Sequence, residues 1–457
     1  MIGGRGPGAR GRGASGSPWP LAPGPWPLVF LWFLAFAGPG LLAPFSGDDL
    51  MNLNGALTRG LPRLLLDNLQ FWSTAYRPLG GVFYASIYHL VGFHSLPFRI
   101  ACFALLGLNL YLLYRFCRDL TGSSEVALFA TLLASYHAWF VDLYYSTGTV
   151  YDLLCYAFFC AALIAYLEGR RPWLVVLLYI CALNAKEMAV TLPVFILFYE
   201  LLWHGRKARF QGALLTAAIT AIYIAGKLYG PDSLERIPSY HLTISPGRFL
   251  DSFHLFLNPF LYQEHFFRDS NTVQLLIVML AFALLLRSRP LIFAWCFILT
   301  STLPVAFIQH YSAFFWYLPM AGWALYAGTV VQKIAERLRA PQWGVLFVLA
   351  LALAPFHIRE TRKTRQIFFS AQPPVRETTA QLKAAAPTLP PGARVLFVDD
   401  PFPRDGYYLY FLTRLLYRDL TIHVERTVVH PVPPADYPGY HRVFGFRDGR
   451  IQLLRFQ

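Results

Sequence analysis

Apolar residues along this chain come in long blocks, not in alternation. Runs dominated by Leu, Phe, Ala, Val and Ile occupy about 26–44, 80–91, 97–116, 125–142, 149–167, 173–185, 188–203, 211–229, 272–287, 290–309, 315–332 and 342–357. A hydrocarbon core about 30 Å thick takes roughly 20 helical residues at 1.5 Å each, so the blocks predict about ten to twelve membrane-spanning helices, some of them short. Period-two alternation over strand lengths is missing, which argues against a barrel. The expected fold class is therefore an all-α polytopic membrane protein.

The polar intervals give it an orientation. "RFCRD" (115–119), "EGRRP" (168–172), "HGRKAR" (204–209), "RSR" (287–289) and "QKIAERLR" (332–339) are basic. Placed inside by the positive-inside rule, they put 45–79, 142–148, 185–187, 230–271, 310–314 and the tail from 357 outside. Within 230–271, "ISPGRFLDSFHLFLNPFLY" starts at Ser245–Pro246 and repeats apolar residues at helical spacing, which predicts an amphipathic interfacial helix. The tail carries two strand-like runs, "ARVLFVDD" (393–400) and "LTIHVERTVV" (420–429), around a helical "YYLYFLTRLLYR" (407–418). Three regions follow: a disordered basic tail over 1–25, a transmembrane domain over 26–357, and an outward-facing α/β module over 358–457. The small-x-small "AFA" (35–37) lets the first block read as a cleaved signal or as an uncleaved first span.

Composition changes the picture in one respect. The net charge of +14 would suggest nucleic acid, but much of the Lys and Arg sits in the short loops where it sets topology, so no nucleic-acid partner is expected. The six cysteines fall in or beside spans, and CxxC and HExxH are absent. Neither a disulfide framework nor a metal motif is therefore expected.

Candidate chemistry lies in the outer segments. Asp48 and Asp49 follow the first block; they either mark where the helix leaves lipid or face a cavity and act on a substrate. Arg77, after Tyr76 in "STAYRPLGGVFY", either caps its loop or offers a guanidinium fork to a phosphate. Lys186 and Glu187 in "NAKEMAVTLP" split an apolar stretch, either as a neutral pair or with Glu187 orienting Lys186 toward a phosphate. "SYHAWFVDLYYSTGTVYD" supplies His137, Asp142 and Asp152 with aromatic walls suited to a sugar, and His310 ends a later span.

An acidic pair after the first span, then "YRPL", "AKE" and "YLPMAG", resembles the membrane part of the GT-C glycosyltransferases. The order is most similar to the TMTC-type protein O-mannosyltransferases and their bacterial relatives. The resemblance covers roughly residues 26–335 and implies a polyprenyl-phosphate sugar donor with inverting transfer to a hydroxyl of a protein, lipid or glycan. By position it implies Asp48 or Asp49 as catalytic base, and Arg77 and Lys186, with Glu187, at the donor phosphate. Tyr76, His137, Asp142 and His310 become substrate contacts. A divalent cation is compatible with the acid pair, although no ligand set is visible. The family's "HPxHxE" is "SYHAWFVD" here, keeping His137 and offering Asp142 for the Glu. Its "ERxxYLPS" is "AFFWYLPM", which loses a charged pair at Ala313 and Phe314. TPR repeats are absent. The expected location is a bacterial inner membrane with the site on the periplasmic face. A flippase for lipid-linked glycans and a non-catalytic scaffold are the rival readings.

Overall fold

The computed structural model describes residues 26–73, 75–229, 241–309, 311–447 and 449–454. The tail expected over 1–25 lies outside them, as does His310. Helices α1 (Trp26–Ala37), α2 (Gly47–Arg59), α3 (Leu61–Leu69), α4 (Pro78–Val91), α5 (Ser95–Thr121) and α6 (Ser124–Ser135) open the chain. There follow α7 (Val141–Tyr145), α8 (Val150–Leu167), α9 (Pro172–Ala185), α10 (Leu192–Tyr199), α11 (Gln211–Leu228) and α12 (Pro246–Phe260). The membrane part closes with α13 (Asp269–Leu285), α14 (Arg289–Ala306), α15 (Pro319–Leu338) and α16 (Gln342–Ala371). Among the described residues, 6 helices are long and apolar enough to cross a membrane, up to 8 if each bent pair counts as one span, with shorter apolar helices at Pro172–Ala185 and Asp269–Leu285.

Local chemistry explains the boundaries. Prolines stand in the first turn of α4, α9, α12, α14 and α15, where a missing N–H costs nothing and φ is already helical. Ser245 caps the predicted amphipathic helix α12, its side chain accepting from the Arg248 N–H. Helix α6 packs on α15, α8 on α9, and α5 on α6 and α8. A Cβ on Gly328 of α15 would stand 2.8 Å from the Ala130 nitrogen of α6. Only a glycine allows that backbone approach, the way helices in lipid gain packing contact.

Two segments differ from the sequence expectation. Residues 45–79, read as a loop, contain α2 and α3; α2 turns 69° away from the first span. The block 125–142 is not one continuous helix, because the chain leaves helix at Tyr136 and His137 and bends by 53°. Aromatic packing holds that break. Tyr136 stacks on Tyr144 and Phe36, with ring centroids 4.8 and 5.0 Å away. His137 stacks on Tyr262 at 4.4 Å, and its Nε2 lies 2.8 Å from the Phe260 carbonyl.

The tail is a small α/β module. Strands β1 (Arg394–Val398), β2 (His423–Arg426), β3 (Arg442–Arg447) and β4 (Arg450–Leu453) form one sheet in the order β2-β1-β3-β4. Strand β1 is parallel to β2 and β3, and β4 closes the edge antiparallel to β3. Helices α17 (Val375–Ala385) and α18 (Tyr408–Leu416) accompany the sheet. The strands at 394–398 and 423–426 and the helix between them fall inside the predicted runs. The β3–β4 hairpin is additional. Helix α18 packs on α2, and the Tyr88 hydroxyl of α4 donates to the Leu415 carbonyl at 2.7 Å.

Candidate functional site

The acid pair begins a helix. Ser46, Asp48 and Asp49 form the start of α2, with Ser46 as N-cap and Asp49 at the third position. The two make a capping box: the Asp49 N–H donates to Ser46 Oγ at 3.2 Å, and the Ser46 N–H donates to Asp49 Oδ2 at 2.8 Å. Negative charge at a helix N-terminus is further favoured by the helix dipole.

The two carboxylates have different surroundings. Asp49 is wholly buried. Its Oδ1 accepts from Ser146 Oγ at 2.8 Å and from the Gly148 N–H at 2.7 Å, and its Oδ2 also meets Arg99 Nη2 at 3.1 Å. Four donors thus occupy both oxygens. Arg99, 1% exposed, donates from the same nitrogen to the Pro44 carbonyl at 2.6 Å. Asp48 is exposed. It lines a cavity of about 550 Å³ between α2, the link 371–374 and the module residues 402–411. Asp142, half-buried on α7, lies near enough to Asp48 for their charges to interact. A Cβ on Gly148 would come within 3.3 Å of Asp48 Cβ and 3.0 Å of Ser146 Oγ, so this glycine makes room for Asp48 and Ser146.

A second charge cluster adjoins the first. Arg77 N-caps α4 with φ 44°, and its guanidinium forks onto Glu187: Nε donates to Oε2 at 3.1 Å and Nη2 to Oε1. The Tyr76 ring lies 4.4 Å beneath Arg77. Burial costs the Arg77 guanidinium hydration, but the Glu187 carboxylate more than reverses this and raises its pKa above the ordinary arginine value. Glu187 therefore pairs with Arg77, while its neighbour Lys186 turns to Asp152 of α8, with Nζ 2.6 Å from Oδ1. Lys186 is fully buried, its ammonium over the rings of Phe314 and Phe315 at 4.7 and 4.6 Å. Aromatic faces thus cover this cation. Lys227, at the end of α11, donates to the Ala75 carbonyl at 2.6 Å and brings a third cation to the same loop. Arg77, Lys186 and Lys227 against Glu187 and Asp152 leave one positive charge in excess.

The clusters meet at Tyr151 and Tyr84. The Tyr84 hydroxyl is 3.1 Å from Thr147 Oγ1, Tyr84 and Tyr151 are 6.3 Å apart by ring centroid, and the Arg77 guanidinium is 5.6 Å from the Tyr151 ring. One end of the site is therefore acidic and the other basic.

Of the remaining sequence candidates, His137 is buried in the aromatic break described above, and His310 is outside the described residues. Sequence reasoning missed Arg99 and Lys227, and placed Asp152 only in the cluster at 135–152 with His137 and Asp142. An arginine within an apolar block was the available signal, since such a charge demands a partner. Among the described residues, the group with metal-ligand spacing is Asp251, His254 and Asp269, with ligand atoms within 4.8 Å of one another. It lies on α12 and the start of α13 and does not include the acid pair.

The profile of the dolichyl-phosphate-mannose-protein mannosyltransferase family matches residues 76–229, about a third of the chain, spanning Arg77, Asp152, Lys186 and Glu187. No curated protein matches the chain. ArnT from Cupriavidus metallidurans bound to undecaprenyl phosphate superposes with a TM-score of 0.55 at 14% identity, over 94% of this chain and 98% of that one. Its apo form gives 0.54 at 13% identity, over 93% and 96%. The chain is thus similar in fold to ArnT over nearly its whole length, and in sequence to the dolichyl-phosphate-mannose-protein mannosyltransferase family over residues 76–229.

Proposed function

We propose that this protein transfers a sugar from a polyprenyl phosphate to an acceptor hydroxyl, with Asp48 as the base. The observation that carries the reading is the division between the two first-turn acids. Asp49 is spent on four donors, whereas Asp48 borders a cavity large enough for an acceptor. A base must reach the proton it removes, and a carboxylate beside the cavity can do so. The undecaprenyl phosphate bound by the ArnT relative supports a donor of that class.

The reaction then runs as follows. The acceptor oxygen gives its proton to Asp48 and bonds to the anomeric carbon. The bond from that carbon to the phosphate oxygen breaks on the opposite face, inverting the centre and releasing polyprenyl phosphate. Before transfer the donor phosphodiester carries one negative charge, and the one-charge excess at Arg77, Lys186 and Lys227 matches it. As the bond breaks, further charge develops on the phosphate, where fixed cations stabilise it. The bonds of Arg77 to Glu187 use Nε and Nη2, leaving Nη1 for a phosphate oxygen.

Asp48 and Asp405 are the charged side chains lining the cavity, among Met51, Phe402, Tyr407, Tyr408 and Phe411. That lining favours a neutral or cationic acceptor with an apolar or sugar face. Transfer belongs on the membrane face that carries the module, the periplasmic one in a bacterial inner membrane.

The test is a mass profile of glycoconjugates from cells lacking the protein. Wild type restores a species heavier by one sugar, and Asp48→Asn does not. An unchanged profile on deletion, with the protein demonstrably made beforehand, would end the enzyme reading.

A further inference from the structure

The opposite end of the bundle holds a second cavity. Helix α8 runs from Asp152 in the charge cluster to Leu167, fifteen residues or about 22 Å along its axis. There a cavity of about 840 Å³ opens between the end of α8, the start of α9 and the start of α11. Its side wall is apolar, with Val175, Val176 and Leu215, and its rim carries Arg170, Lys207 and Arg209.

The rim is preorganised and keeps its charge. Glu200, 5% exposed, accepts from the Tyr166 hydroxyl at 2.7 Å and from the Arg209 N–H at 2.7 Å, and so fixes the turn that bears Lys207 and Arg209. The chain forms a π-helical turn at Glu200–His204, a geometry that often marks functional positions. Arg170 is shared with Glu168, but Lys207 and Arg209 form no side-chain ion pair among the described residues. Arg170, Lys207 and Arg209 against Glu168 and Glu200 thus leave one positive charge in excess over an apolar slot. We infer that this cavity binds the phosphate headgroup of an anionic phospholipid, one acyl chain lying along Val175, Val176 and Leu215. Basic pockets between helices on the inner face are suited to such headgroups, and the flanking loops are the basic ones that the positive-inside rule puts there. This inference is independent of the sugar-transfer reading.

Native mass spectrometry of the purified full-length protein tests it, with dioleoyl-phosphatidylglycerol, dioleoyl-phosphatidylcholine and inorganic phosphate as probes. The expected result is retention of phosphatidylglycerol over phosphatidylcholine, weakened about tenfold in Lys207→Gln/Arg209→Gln. Phosphatidylglycerol should also raise the melting temperature of the wild type and not of the double variant, because only the former binds it. Equal retention of both lipids, or undiminished retention by a folded double variant, would overturn the inference. Displacement of the lipid by millimolar inorganic phosphate would assign the rim to a free anion and overturn the lipid assignment. Should the double variant fail to fold, Leu215→Trp, which fills the slot, must lower lipid retention for the inference to stand.

Discussion

At the residue scale, the buried charges of the candidate site stand in pairs, and each pair makes a separable demand. Lys186 and Asp152 are both buried, and removing one strands the other in an apolar surround. Breaking such a pair costs about 3–5 kcal/mol, whereas replacing both partners is far cheaper. Lys186→Met should therefore lower thermal stability sharply, and Asp152→Asn in the same chain should recover most of it. Transfer should stay absent in both, because the donor phosphate has lost a cation. Recovery of transfer with recovery of stability would show that the pair serves the fold alone. The sequence displayed Lys186, Glu187 and Arg77 but not who pairs with whom. Adjacent residues suggested a Lys186–Glu187 partnership, and packing gave Glu187 to Arg77 instead. Partners separated by 34 and 110 positions have no local signature.

At the element scale, the site depends on how α2 begins. Ser46→Ala removes the cap acceptor and should cost about 0.5–2 kcal/mol, read as faster amide exchange at residues 47–50. Unchanged exchange there would place the anchor of α2 elsewhere. This helix was legible in principle, since "SGDD" fits the serine-x-x-acid pattern of a capping box. Gly47, Asn52, Asn54 and Gly55 weaken its propensity, and tertiary packing overrode that weakness. The spans were legible because a bilayer imposes length and apolarity on a continuous stretch. The break at Tyr136 and His137 was not, since it rests on His137 stacking against Tyr262, more than a hundred residues away. The β3–β4 hairpin left a turn signal, Asp448–Gly449, that the sequence reading did not use.

At the scale of the whole molecule, the C-terminal module lines the cavity over α2, and under the proposed reaction it would take part in choosing the acceptor. Residues Phe402, Tyr407 and Phe411 face the cavity from one side while Asp48 faces it from the other. Phe411→Ala should raise the acceptor KM and leave donor binding unchanged, measured as polyprenyl phosphate retained by the purified protein. A loss of donor retention instead would mean that the module supports the basic end of the site.

The central claim is that two neighbouring acids divide the labour, Asp49 holding the fold and Asp48 moving the proton. The most direct measurement compares thermal stability and sugar transfer in Asp48→Asn and Asp49→Asn. The account predicts that Asp48→Asn melts like wild type and loses about 10²–10⁴-fold in transfer. It predicts that Asp49→Asn melts lower, because Arg99 loses its charged partner. A stable Asp49→Asn without transfer, beside an Asp48→Asn that still transfers, would contradict it.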